Sequence, residues 1–233
     1  ASICENDVKQ LAQADGVFTA SLTDGTSISA KSVIYALGTS YRKLEIPGGQ
    51  LPGVSYCATC DGAFYQGKTV AVIGGGDTAL EDALYLSRMA KTVYLVHRRD
   101  TFRANAALQE AVRQKENIAL VTNAVPTEIV GEKRVTALRI DRSGQPEELT
   151  LDGVFVAIGS VPNTELLKDL AELDAGGYVK AGEDGVTSLA GLFAAGDVRT
   201  KPLRQVITAA ADGANCVVSA ERYLLEYEKM VMR

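Results

Sequence analysis

Thr69-Val70-Ala71-Val72-Ile73-Gly74-Gly75-Gly76-Asp77-Thr78-Ala79 is the stretch on which the fold turns. A β-branched apolar run stops at glycines, and a helical pattern then occupies Thr78–Met89. A G-x-G-x-x-A loop needs this context, strand before and helix after, to hold a dinucleotide. Gly74 permits the tight turn after the strand, and Gly76 lets a pyrophosphate approach the backbone. Ala79 keeps the helix close to the sheet, and the helix N-terminus faces the anion. Gly74, Gly75, Gly76, Asp77 and Thr78 are therefore candidate cofactor-binding residues. The alternative is an ordinary Gly-rich turn.

Outward from this loop, strands and helices alternate. Thr92–Val96 reads as a strand, Ala104–Lys115 as a helix and Ile118–Thr122 as a third strand. This βαβαβ order predicts a parallel sheet with right-handed crossovers. Val125–Val130, Val135–Asp141 and Glu148–Leu151 read as an antiparallel meander, and Val154–Ile158 as a strand ending at Gly159. A similar ending stands earlier: Val17–Leu22 and Thr26–Ala30 form a hairpin, and Val33–Leu37 runs to Gly38. Val33-Ile34-Tyr35-Ala36-Leu37-Gly38 aligns with Val154-Phe155-Val156-Ala157-Ile158-Gly159 as a weak internal repeat. After Pro162 come a short strand, Leu192–Ala195, and a long helix from Gln205. The chain is thus expected to be α/β, with residues 43–160 inserted between 1–42 and 161–233 of a second domain of the same kind. Tyr41-Arg42-Lys43 and Ser160-Val161-Pro162 would be the hinges.

The 233 residues are 46% hydrophobic and 23% charged, an ordinary soluble balance with room for two modest domains. A net charge of −5 gives no basic field for nucleic acid or an acidic membrane. No apolar run approaches the ~20 residues that cross a bilayer, and the start is not a secretory signal. Four cysteines are too few for a secreted disulfide scaffold, so a cytoplasmic location is expected.

Where an NAD site would place an acid, the second strand ends in His97-Arg98-Arg99, with Arg103 following. Guanidinium groups pair with a 2′-phosphate in a fork, so the cofactor is read as NADPH, against the alternative of a solvated basic turn. His97, the only histidine, reads as a lining or packing residue. Cys57-Ala58-Thr59-Cys60 reads as a redox disulfide. A zinc site would need a second ligand pair that the sequence lacks, so no metal is expected, and inert core cysteines would rarely take this spacing. Asp61 is open between a proton donor to a leaving sulfur and half of an Asp-Gly turn. In the tail, Asp197 ends a strand where it could accept hydrogen bonds from a polyol. Arg204 and Gln205 stand where the last helix begins.

Taken in order, Cys57-Ala-Thr-Cys60-Asp61-Gly62, Gly74-Gly-Gly-Asp-Thr-Ala79, His97-Arg-Arg-Asp-Thr-Phe-Arg103, Phe193-Ala-Ala-Gly-Asp197 and Arg204-Gln-Val-Ile-Thr208 closely resemble the low-molecular-weight thioredoxin reductases. The resemblance runs along nearly the whole chain. It implies a flavoprotein homodimer with a complete NADPH domain inserted into a partial FAD domain. NADPH would reduce FAD, FAD the Cys57–Cys60 disulfide, and the dithiol would reduce thioredoxin or a thioredoxin-like protein. Cys60 would face the flavin, Cys57 would attack the partner disulfide, and Asp61 would be the acid. Gly38, Thr39, Asp197, Arg204, Gln205 and Val206 would be the flavin-side contacts. Members of the family swing the NADPH domain against the FAD domain. The family's opening strand and G-x-G-x-x-G loop, which hold the ADP half of FAD, find no counterpart here. The expectation is therefore a fragment of a full reductase, with reduced FAD affinity. Its alternatives are an NADPH-binding fragment without turnover, or a related flavin-dependent disulfide reductase with another protein acceptor.

Overall fold

In the computed structural model, which describes residues 2–231, the chain divides into two units. One is Tyr41–Gly159, and the other is formed by the chain up to Ser40 and from Ser160 onward. Ala1 and residues 232–233, which end the expected domain ranges, lie outside the described residues.

The discontinuous unit begins with an antiparallel sheet of β1 (Val8–Ala14), β2 (Val17–Leu22) and β3 (Ser27–Ala30). Asp15 and Gly16, with φ of 51° and 77°, make the first reversal, a left-handed pair that only Gly and short polar residues tolerate well. The sequence predicted β2 and β3 as a hairpin and overlooked β1. Only Leu11 of β1 is buried, so the strand carries almost no alternation to read. β4 (Val33–Tyr35) follows, and β5 (Thr39–Tyr41) leads out of the unit.

The continuous unit is built on five strands in the order β6-β13-β7-β8-β9, all parallel. Its elements run β6 (Val54–Ser55), α1 (Ala58–Asp61), β7 (Thr69–Gly74), α2 (Asp77–Leu86), β8 (Thr92–Val96), α3 (Ala106–Arg113) and β9 (Ile118–Val121). The meander β10 (Ala124–Gly131), β11 (Val135–Arg142) and β12 (Gln145–Thr150) comes next, and β13 (Gly153–Ala157) closes the unit. The β7-α2-β8-α3-β9 order is the predicted βαβαβ.

Side chains alternate across a strand, and β7 is buried on both faces. Val70 and Val72 point into a core with Leu80, Leu86 and Val112 of the helices. Ala71 and Ile73 point into a second core with Ile129, Leu138 and Ile140 of the meander. Each fully buried aliphatic side chain contributes roughly 1.5–3 kcal/mol, so the sheet is stabilised from both sides. α2 stops at Leu86, short of the predicted Met89, and just beyond it Asn117 Nδ2 donates to the carbonyls of Ser87 (2.8 Å) and Ala90 (3.1 Å). That side chain satisfies groups a helix end leaves free.

Back in the discontinuous unit, β14 (Ser160–Pro162) is followed by β15 (Leu192–Ala194) and α4 (Val206–Val231). β15 pairs in parallel with β4, and Phe18, Tyr35, Leu167, Val179 and Leu192 share its core. The internal repeat has a structural counterpart. Gly38 after β4 and Gly159 after β13 both adopt positive φ, 63° and 107°.

Candidate cofactor and disulfide sites

The glycines at the end of β7 do different work. A Cβ on Gly74 would lie 2.4 Å from the Ala157 carbonyl oxygen and 2.6 Å from Ala79 Cβ, so this glycine is required by close packing of β13, β7 and α2. Gly74 is not among the glycines with positive φ, so what demands a glycine there is close approach. A Cβ on Gly75 would stand 2.2 Å from the His97 ring. Gly76 is the N-cap of α2 in extended conformation, and nothing lies within 4 Å of a Cβ placed there. That open flank, beside the first N–H groups of a ten-residue helix, is where an anion can approach Gly76, Asp77 and Thr78.

His97 is buried, stacked on Phe102 at 5.2 Å, with Nε2 3.1 Å from the Thr101 carbonyl oxygen. Burial pushes its pKa down, and the Arg98, Arg99 and Arg103 charges add to the effect. Neutral, it donates from Nε2 and packs as a lining residue. The Arg103 N–H donates to the Gly75 carbonyl at 2.8 Å, drawing the basic segment over the glycine loop. Gly74, Gly75, His97, Arg98 and Arg103 line a cavity of ≈ 510 Å³, joined by Arg42. Arg42 was not legible as a site residue, because it lies far from the loop in sequence. The exposed Arg99 is not among the lining residues.

Cys57 and Cys60 are joined in a disulfide at the carboxyl end of β6, around the single turn α1. Cys57 is the N-cap. Its Sγ accepts from the Cys60 N–H at 3.2 Å and lies 3.4 Å from Thr59 Oγ1. Cys60 is exposed and Cys57 half-buried. The Asp61-Gly62 pair is helical, not a turn: Gly62 has φ −55° and is buried against Tyr85 and Leu86 of α2. Asp61 Oδ2 accepts from the Ser55 hydroxyl at 2.7 Å, and the same hydroxyl accepts the Cys57 N–H at 3.1 Å. Ser55 escaped the sequence reading, though a lone polar residue ending a buried strand is a usable signal. The three groups of site residues in this unit sit at carboxyl ends of strands in one parallel sheet, where such sheets bind ligands.

In the discontinuous unit, Gly38-Thr39 and Asp197 follow the carboxyl ends of the paired strands β4 and β15. Asp197 Oδ1 is buried and, among the described residues, has no hydrogen-bond partner. Arg204 stacks on the Tyr178 ring at 4.1 Å and donates from Nε to the Asp197 carbonyl at 3.3 Å. The Gln205 N–H meets Thr208 Oγ1 at 3.2 Å, and exposed Val206 begins α4. Beneath this loop Asp212 of α4 receives the Gly196 N–H at 2.9 Å, Arg199 Nη2 at 2.6 Å and Lys201 Nζ at 2.7 Å. Burial alone would raise the Asp212 pKa, but these donors, Arg199 foremost, bring it down to about 2. This node was also missed, since no local motif marks Asp212 as the partner of the loop that precedes α4. Among the described residues no cluster of three or more His, Cys, Asp or Glu could hold a metal ion, and no helix is long and apolar enough to cross a membrane.

A dinucleotide loop and a redox disulfide on one parallel sheet define a pyridine nucleotide-dependent disulfide oxidoreductase, and residues 2–213 match the pyridine nucleotide-disulphide oxidoreductase family. Within it the chain belongs with the thioredoxin reductases. It is 44% identical to the thioredoxin reductase of Treponema pallidum, aligning 96% of this chain with 74% of that protein. It is 43% identical to the bifunctional thioredoxin reductase/thioredoxin of Mycobacterium leprae, with 97% of this chain aligned, but spans only about half (51%) of that protein's length. The solved structure of the Streptococcus pyogenes thioredoxin reductase superposes with a TM-score of 0.88 at 38% identity, covering 95% of this chain and 74% of that one.

Proposed function

We propose that this chain carries the NADPH site and the redox disulfide of a thioredoxin-disulfide reductase, together with the flavin-side part of its FAD site. Tyr41–Gly159 is then the NADPH domain, and the discontinuous unit belongs to the FAD domain. The observation that carries the reading is Cys57–Cys60 in a disulfide, with Asp61 held beside it by Ser55, on the sheet that bears the glycine loop.

NADPH fits the residues present. Gly76 leaves open space at a helix N-terminus for the pyrophosphate, and Arg98, Arg99 and Arg103 are cations suited to a 2′-phosphate. Flavin also fits, because the buried, unpartnered Asp197 Oδ1 is an acceptor that a polyol hydroxyl would satisfy. Gly38, Thr39, Arg204, Gln205 and Val206 would flank that chain and its ring. When bound, FAD supplies the two-electron relay between NADPH and the disulfide. The net change is NADPH, a proton and a protein disulfide giving NADP⁺ and a dithiol.

The chain's own residues do the rest. With the disulfide open, Cys57 Sγ has the Cys60 N–H and Thr59 hydroxyl within reach, two donors that favour its thiolate. Cys57 therefore attacks the disulfide of a thioredoxin-like protein, and Asp61 handles the proton at the sulfur that leaves. Cys60 then closes on Cys57 and releases the partner as a dithiol. The thioredoxin-reductase names of the relatives support this acceptor. The family resemblance extends the reading to a cytoplasmic homodimer.

The test is NADPH oxidation by the protein with added FAD and thioredoxin, read beside the absorption spectrum. A flavin band that bleaches with NADPH and recovers with oxidised thioredoxin is expected. A colourless protein that binds NADPH without oxidising it would reduce the reading to nucleotide binding.

A further inference from the structure

We propose that Asp77 is a positioning residue for Arg103 of the basic segment, tuning selectivity for a 2′-phosphorylated nucleotide without binding the phosphate itself. The inference rests on the NADPH reading and assigns one of its residues a different job. Asp77 opens α2, where a carboxylate suits the helix dipole but repels a pyrophosphate. Its Oδ1 is occupied by Asn105, accepting from the backbone N–H at 2.8 Å and from Nδ2 at 3.1 Å. Asn105 in turn caps α3, its Oδ1 accepting the Leu108 N–H at 3.0 Å. One and two residues back, the Ala104 and Arg103 N–H groups both donate to the Gly75 carbonyl, at 3.3 and 2.8 Å. Gln109 Nε2 holds the Ala104 carbonyl at 2.7 Å, and Phe102 stacks on His97.

Residues 102–105 are thus pinned to the glycine loop at one end and to the cap of α3 at the other. Arg103 makes the first of these pins through its own N–H, and it lines the cavity beside Gly75. A cation fixed in advance loses less freedom when it meets a phosphate than one on a loose loop. Asp77 supplies the only side-chain acceptor that ties Asn105, and so Arg103, to α2 among the described hydrogen bonds.

The experiment measures calorimetric binding of 2′,5′-ADP and of 5′-AMP to the full chain. Both probes carry the 5′-phosphate, so the ratio of their dissociation constants isolates the 2′-phosphate. Wild type binds 2′,5′-ADP more tightly. Asp77→Ala lowers that preference by about three- to tenfold, the range expected for ordering one long side chain. Asp77→Asn keeps the oxygen acceptor and keeps the wild-type ratio. Asn105→Ser keeps an oxygen for the α3 cap and the backbone N–H to Asp77 but loses the amide donor, so it shifts the ratio in the same direction by less than Asp77→Ala. An unchanged ratio in Asp77→Ala overturns the inference, as does an equal loss in Asp77→Asn. A wild-type protein without preference for 2′,5′-ADP overturns the NADPH reading first, and the inference with it.

Discussion

The Ser55 hydroxyl donates to Asp61 at 2.7 Å while accepting the Cys57 N–H at 3.1 Å, so one buried serine joins the candidate acid to the backbone of the candidate nucleophile. Ser55→Ala is expected to fold normally and to slow exchange between the reduced cysteine pair and oxidised thioredoxin by about tenfold, at the low end of what a positioned proton donor contributes. Ser55→Thr keeps the hydroxyl and should recover most of the rate. Stopped-flow exchange kinetics check both, and a full rate in Ser55→Ala would remove the serine from the mechanism.

The two sulfurs divide their work. Cys60→Ser should trap a mixed disulfide between Cys57 and thioredoxin, visible by intact mass, whereas Cys57→Ser should trap none. Either change abolishes thioredoxin reduction and spares reduction of bound flavin by NADPH. Trapping through Cys60 instead would reverse the assignment.

Gly74 and Gly76 should respond differently to the same methyl group. At Gly74 the methyl meets a backbone oxygen at 2.4 Å, so Gly74→Ala should lower stability by about 1–3 kcal/mol, as overpacking does. At Gly76 nothing is in the way, so Gly76→Ala should melt like wild type yet bind NADPH poorly. Thermal melts beside nucleotide titrations separate the two.

Replacing Arg98 and Arg99 together with Ala should raise the NADPH Michaelis constant by about tenfold or more and leave NADH unchanged, because each lost charge-assisted contact is worth about 1.5–3 kcal/mol. Steady-state kinetics with both nucleotides decide it. An equal effect on each would leave no role for the 2′-phosphate.

Asp212 makes an acid-sensitive clamp. Its folded pKa of about 2 lies below the ordinary 3.8, so its contribution is complete above about pH 4 and is lost as pH falls toward 2. Denaturant midpoints between pH 5 and 2 should fall in wild type and fall less in Asp212→Asn, which starts lower. A parallel pair of curves would contradict the linkage.

The legible parts of this fold share a cause. β7, β8 and α2 were readable because each buries three or more apolar residues, and the glycine loop and Cys57–Cys60 because their chemistry is local in sequence. What escaped is non-local or too short to be periodic. β1 buries one side chain, and β6 is a two-residue strand. Ser55, Arg42 and Asp212 matter through partners that only the folded chain brings near. The packing constraint on Gly74 escaped for the same reason: its neighbour Ala157 arrives from a strand far along the chain.

The strand order β6-β13-β7 sets a further condition. One strand separates the strand that ends at the cysteines from the strand that ends at the glycine loop, which spaces the two by about 10 Å across the sheet. Hydrogen-bonded strands do not slide apart or together in a working cycle, so this gap behaves as a fixed ruler. Neither the donor cleft nor the disulfide can travel to the other. On the proposed reading, electrons cross that gap only through a third group.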